Sequence, residues 1–208
     1  MRKIKMLLIM VCSFQCMQAQ QGFSILYEQY SLGINNTDTR PRSNRLIVTD
    51  SLSFWYNIPE NGKDPMKKDT LFGVKDLHHA VLFNNKSRVY YSEVTFPEDQ
   101  PKYLITDTLE SSGWVYFDQY KEILGTRCRA ALRVNKQNDS TLAWFAESIP
   151  NSFGPFYYMG LPGLVLEVYD QARFRHLKAI EIKKGGFQVI MPRGFILVSP
   201  DEFANRRQ

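Results

Sequence analysis

The chain has little of what builds staples or metal centres: of its 208 residues, three are cysteine and three are histidine. Cys12 and Cys16 fall within the first nineteen residues, so beyond them Cys128 stands alone and has no partner for an internal disulfide. Such a chain must be held by packing instead. His78 and His79 are adjacent, and on a strand neighbours point to opposite faces. His176 lies far away, with no Cys or His at ligand spacing. A zinc centre needs three or four convergent ligands, so no metal and no cofactor is expected. No apolar run approaches the roughly 20 residues a spanning helix needs. The nucleophile elbow, the phosphate loop and the dinucleotide fingerprint are also missing.

The N-terminus carries the first positive signal. Arg2, Lys3 and Lys5 precede the apolar run Met6 to Phe14, and Met17-Gln18-Ala19 ends on a small residue. Residues 1–19 therefore read as a cleavable signal peptide, with a mature domain over 20–208. Export is expected, to the periplasm or the cell surface. Neither Cys12 nor Cys16 follows the small residue a lipid-acceptor cysteine requires. Of the formal net charge of +5, three positive charges belong to this segment, which holds no acidic residue. The remainder carries only +2, which offers no basis for a nucleic-acid partner.

Beyond residue 20 the pattern is of short strands punctuated by turns. Ile25 to Tyr30 alternates in the two-residue period of a strand, and Gly33 to Asn44 reads as a polar loop. Leu46 to Val48 and Phe54 to Tyr56 are further strands, and Asn57 to Thr70 reads as an exposed loop. Hairpins are predicted for Ala80 to Tyr91 around Asn84-Asn85, and for Arg129 to Phe145 around the polar loop Asn135 to Ser140. Strands follow at Leu164 to Tyr169, Phe174 to Ile182 and Phe187 to Met191, with Gly185-Gly186 as a turn. Helix evidence is confined to Ser199-Pro200-Asp201-Glu202, an N-cap with proline at the first helical position. The fold class is mainly β: a single antiparallel, curved β-sheet domain with little helix.

The most distinctive stretch runs from Ser152 to Glu167. Pro162 and Gly163 suit the central positions of a type II turn over Leu161 to Leu164, and Gly154-Pro155 makes a second bend. A rigid loop anchored in the core at both ends is expected. Gly160-Leu161-Pro162-Gly163-Leu164-Val165 resembles the signature of the GLPGLI family, with valine for the final isoleucine. The resemblance takes in Ile123 to Ala130, Ala143 to Pro150 and Gly154-Pro155 in the family's order, and is good over residues 110 to 170. It implies a secreted cell-envelope protein of Bacteroidota, in a family without an established biochemical function, and supplies no catalytic residues. The layout also resembles, more distantly, periplasmic lipoprotein carriers that fold as a half-barrel around a hydrophobic hollow.

Candidates for chemistry are few. Cys128 lies between Arg127 and Arg129, whose charge favours a thiolate, and His176 could serve as its base. The competing reading is a buried apolar cysteine. Glu167 with Asp170 is a carboxylate pair whose separation one sequence cannot show. Aromatic residues make up 13% of the chain, enough to fill the core of a disulfide-free β domain. The residues expected at a ligand or partner surface are Tyr157, Tyr158, Gly160, Leu161, Pro162 and Gly163, on the rigid loop. Ser51, Thr70, Thr108 and Ser140 follow aspartate, in a pattern similar to the O-glycosylation motif of secreted Bacteroidota proteins. The leading expectation is a non-catalytic binding or carrier module for an apolar ligand or an outer-membrane protein partner. A hydrolase using carboxylates or Cys128 is the alternative.

Overall fold

The structure is a computed structural model, and it describes residues 20–31, 41–60, 62, 64, 81–84, 87, 89–94, 103–108, 113–187, 189 and 195–206. The signal segment, His78, His79 and Thr70 lie outside the described residues. Strands occur at Gln20–Ser31 (β1), Arg42–Val48 (β2), Leu52–Asn57 (β3), Val81–Asn84 (β4), Val89–Val94 (β5) and Tyr103–Thr108 (β6). They continue at Val115–Ile123 (β7), Thr126–Val134 (β8), Ser140–Ala146 (β9), Leu164–Asp170 (β10), Arg175–Phe187 (β11) and Ile196–Val198 (β12). The one helix among the described residues, α1, is Pro200–Asn205.

All twelve strands join one open sheet in the order β12-β6-β5-β4-β3-β2-β1-β11-β10-β9-β8-β7. Pairing is antiparallel except between β12 and β6. The two longest strands, β1 and β11, pair along their whole length at the centre. The sheet is bent by register shifts at Leu26/Tyr27, Val165/Glu167 and Tyr116/Tyr120, because an extra residue on one strand kinks it and increases its twist.

Apolar residues occupy both faces of the β2–β4 region. Leu46, Val48, Trp55, Val81 and Phe83 enter a large cluster with Tyr27, Phe145 and Phe153. Their neighbours Ile47, Phe54, Tyr56 and Leu82 enter a second one with Phe187. That is why β2 and β3 read as continuous apolar runs and not as alternating ones. The helix follows its sequence signal closely: the Ser199 hydroxyl accepts from the Glu202 N–H, and the Glu202 carboxylate accepts from the Ser199 N–H. Its buried Phe203 meets Tyr103 edge-on at 6.0 Å.

Several sequence expectations need correction. β2 begins at Arg42, so the polar loop ends before Asn44. Asp64, inside the expected exposed loop, is pinned by Arg45 at 2.7 Å and by the Tyr56 hydroxyl at 2.9 Å. Gly185-Gly186 is no turn; β11 runs straight through it because Gly22 and Gln21 of β1 pair with those two residues. β11 starts at Arg175, after Phe174 closes a turn.

Candidate functional site

Between β9 and β10 the chain leaves the sheet for the loop 147–163, long for a connection in a compact domain. Loops of this length without regular structure tend to carry function. This one is tied down along its course. The N–H groups of Leu164 and Val165 donate to Ile149 O and Phe153 O, and the Gly160 N–H donates to Ser152 O at 2.8 Å. The Trp114 indole donates to Met159 O at 3.3 Å, and the Tyr27 hydroxyl to Val165 O at 2.5 Å. Phe153, Tyr158, Met159 and Leu161 are buried against the sheet, and Phe153 meets Phe83 edge-on at 5.5 Å. The expected rigid loop is there.

Its geometry differs from the expected type II turn. The left-handed backbone falls at Gly160, with φ of +89°, and Gly163 has no positive φ. Gly163 is required for a different reason: a Cβ there would stand 2.2 Å from Ala146 O. Gly154 is equally confined, its notional Cβ lying 2.0 Å from Tyr158 O. Of the six expected surface residues, Tyr157 and Pro162 are exposed and Gly160 is half-exposed. Tyr158, Leu161 and Gly163 are buried, because they hold the loop down. The expectation of a ligand surface at those three is corrected.

Directly opposed residues of neighbouring strands share a face, and the register builds two distinct rows. On the face under the loop, Arg133, Thr141, Asp170, Arg175 and Ser31 stand in line across β8, β9, β10, β11 and β1. Buried Asp170 accepts from the Tyr158 hydroxyl, from the Arg173 N–H at 3.0 Å and from the Arg173 guanidinium at 3.1 Å. Burial alone would raise its pKa; these donors outweigh that and hold the carboxyl below its ordinary value. Burial and the same carboxylate push the Tyr158 phenol well up. The Arg133 guanidinium lies 4.8 Å from the centre of the Trp114 ring, and that of Arg175 lies 4.4 Å from Phe156.

On the opposite face, Leu132, Leu142, Tyr169, His176 and Tyr30 form the second row. His176 is stacked on Tyr169 at 4.0 Å and on Tyr30 at 5.7 Å. Glu167, buried to 3% exposure, accepts from His176 Nε2 at 2.9 Å, from the Tyr169 hydroxyl at 2.9 Å and from the Lys121 ammonium. Lys121 reaches it across the Trp144 ring, 4.4 Å from the centroid. Burial opposes ionisation of Glu167, but its three donors pull its pKa down to about 2. Sequence reading placed Glu167 and Asp170 as a carboxylate pair; the structure points them to opposite faces with separate partners.

Cys128 is fully buried on β8, its thiol donating to Thr126 O at 3.4 Å. Burial pushes its pKa up to about 11, against the pull of Lys121. Arg127 and Arg129 are turned to Tyr120, Asp118 and Glu147 instead. His176 is engaged with Glu167, so the Cys128–His176 pairing is not formed. At pH 8 only about one thiol in a thousand would be ionised. Alkylation of the native protein should therefore run at least a hundredfold slower than that of a free thiol, rising to the free rate in denaturant. A native rate within tenfold of a free thiol would contradict this burial.

Open clefts are lined by described residues in two places away from the loop. One of about 370 Å³ lies by Leu142, Tyr169, Gln171 and Phe174, and another of about 600 Å³ by Thr106, Thr108, Ser199 and Asp201. Neither is lined by the signature loop. Thr108 is exposed at the edge of the second cleft, Ser51 is half-buried, and the Ser140 hydroxyl is bonded to Gln171 at 2.9 Å. Among the described residues no group of three or more His, Cys, Asp or Glu is placed to hold a metal. No helix in them is long and apolar enough to cross a membrane.

Fold and loop together define an open, twelve-stranded β module with a pinned excursion over one face. Residues 102–167, which contain the loop, match the model of a family described as a protein of unknown function (Porph_ging). No curated protein matches the chain. Two crystal forms of PNGF-II are similar in fold. The C2 form has a TM-score of 0.62 at 15% identity over 90% of this chain, and the P21 form 0.67 at 13% over 89%. The chain spans about a third of the length of those structures, 32% of each. At such identities the likeness is one of fold alone.

Proposed function

We propose that this is an exported, non-catalytic binding module of the GLPGLI type, acting in the Bacteroidota cell envelope through the surface of its signature loop. The observation that carries the reading is the division of labour in loop 147–163. Phe153, Tyr158, Met159 and Leu161 are committed to the core, which leaves Tyr157 and Pro162 presented on a backbone that cannot easily move. A rigid, exposed aromatic loses little conformational entropy on contact, which favours recognition. The space beneath the loop is filled by Tyr27, Trp55, Phe145 and Met159, so engagement at the surface is favoured over enclosure of an apolar ligand. Among the described residues the buried carboxylates Glu167 and Asp170 are saturated with donors and Cys128 is buried, which favours binding over the hydrolase reading.

The test is expression of the full chain in a Bacteroidota host, with a photo-crosslinking residue at Tyr157 or, as a control, at exposed Asp201. The expected result is a chain beginning at Gln20 in the envelope fraction, with a discrete adduct from position 157 and none from 201. An uncleaved cytoplasmic chain, or adducts equal at both positions, would sink the proposal.

A further inference from the structure

Around the loop, charge and aromatic surface are combined in a way the fold does not need. Arg175 stands opposite Asp170 in register and Arg133 lies in the same row across Thr141, while Asp170 itself is already occupied by Tyr158 and Arg173. Among the described residues, Arg133 and Arg175 have no carboxylate within ion-pair distance; each guanidinium lies against an aromatic ring instead. Arg133 is half-buried, and burial together with the charge of Arg173 draws its pKa below the arginine norm. Burial therefore outweighs the more distant pull of Asp170 on this cation.

The row places these cations usefully. Neighbouring strands lie roughly 4.8 Å apart, so Arg133 and Arg175, three strands from one another, have Cα atoms about 14 Å apart. An arginine side chain reaches roughly half that distance, and the guanidinium fork suits a carboxylate or phosphate. Tyr157 is 36% exposed and sits beside Phe156, their ring centres 6.5 Å apart. Its neighbour Tyr158 reaches Asp170, the carboxylate that Arg173 also bonds, which brings this part of the loop to the same rim. An exposed tyrosine ring on a rim that carries guanidinium groups offers two contacts at once. The electron-rich ring face attracts the weakly positive C–H face of a saturated ring, while the cations hold an acid group.

We propose that the rim formed by Arg133, Arg173, Arg175 and Tyr157 binds an acidic sugar, its carboxylate or phosphate held by the arginines and its ring laid on Tyr157. The inference rests on the binding-module reading only for where it is placed. Small-acid binding by the purified mature chain can fail while export and crosslinking at Tyr157 stand, and the reverse is equally readable.

The test is calorimetric titration of the mature chain with glucuronate, glucose 6-phosphate, glucose and acetate at low salt. Glucuronate or glucose 6-phosphate, whichever acid the site takes, should bind at least tenfold tighter than either glucose or acetate. R133Q, R175Q and Y157A should each weaken it at least tenfold, while K178Q, on the opposite face, changes it less than twofold. Circular dichroism and melting of each variant establish that it is folded. Independently of any variant, the bound acid should shift the indole N–H resonance of Trp114, which lies under Arg133. The proposal falls if neither acid binds, if glucose or acetate binds as tightly, or if the indole resonance stays fixed at saturation.

Discussion

Replacing Glu167 by alanine is expected to lower the unfolding free energy at neutral pH by about 3–5 kcal/mol, the usual cost of breaking a buried charge pair from one side. The carboxylate is what reconciles Lys121, His176 and the Tyr169 hydroxyl at one point of the sheet. Without it an ammonium stretched over Trp144 and a stacked imidazole face one another with no counter-charge. The effect should also depend on pH in a definite sense. The folded pKa of Glu167 is depressed, from 4.5 to about 2. Its stabilisation is therefore fully present above about pH 4.5 and is lost as pH falls toward 2. A shift of that size corresponds to about 3 kcal/mol. Urea unfolding of wild type and Glu167→Ala across pH 2 to 7 measures the difference directly. Other carboxylates with depressed pKa, such as Asp170, titrate in both proteins and drop out of the comparison. A difference below 1 kcal/mol at pH 7, or one that does not shrink on acidification, would show that the three donors do not stabilise the ionised form.

The strands that sequence reading located share one property, a face or pair of faces dry enough to leave a pattern. β2 and β3 are buried on both sides and read as apolar runs; β8 and β9 face the core on one side and show a hairpin around polar residues. β7 left no such trace, since Val115 to Tyr120 are all exposed on the sheet's outer edge and a register shift disturbs their alternation. Its turn into β8 was equally hard to read. Leu124 and Gly125 both have positive φ, 50° and 72°, the geometry in which Asn-Gly is expected and leucine is rare. β12 was missed because its pairing is non-local, joining β6 in parallel from the far end of the chain. β6, though paired with its neighbour β5, buries only Leu104 and so leaves no apolar pattern. The site was half legible. The sequence marked the loop and its aromatics, but the two rows of side chains exist only through register. No spacing along the chain brings Arg133 into line with Asp170 and Arg175, or Lys121 to Glu167.

Register and close packing also decide what the glycines of the signature do, and this gives the second large effect. If Gly160-Leu161-Pro162-Gly163 were a type II turn with Gly163 at its left-handed position, Gly163→Ala would cost about 1 kcal/mol, as such backbone strain usually does. In the structure the obstacle is the backbone of β9. An added Cβ would meet Ala146 O at 2.2 Å and Ala146 C at 2.6 Å. Neither atom can yield alone: Ala146 O accepts the Ile149 N–H that opens the loop, and Ala146 pairs with Leu164 at the start of β10. Relief would require the loop to lift, and Leu161 and Met159 would then leave the core. Gly163→Ala is therefore expected to cost about 3 kcal/mol or more, overpacking at the upper end of its range. Gly160→Ala, at φ of +89°, should cost about 1 kcal/mol, and exposed Pro162→Ala less than that. Thermal and urea unfolding of the three variants will rank them. The order Gly163, Gly160, Pro162 supports a motif selected for close contact between loop and sheet. A Gly163→Ala cost no larger than that of Gly160→Ala would return the motif to a turn.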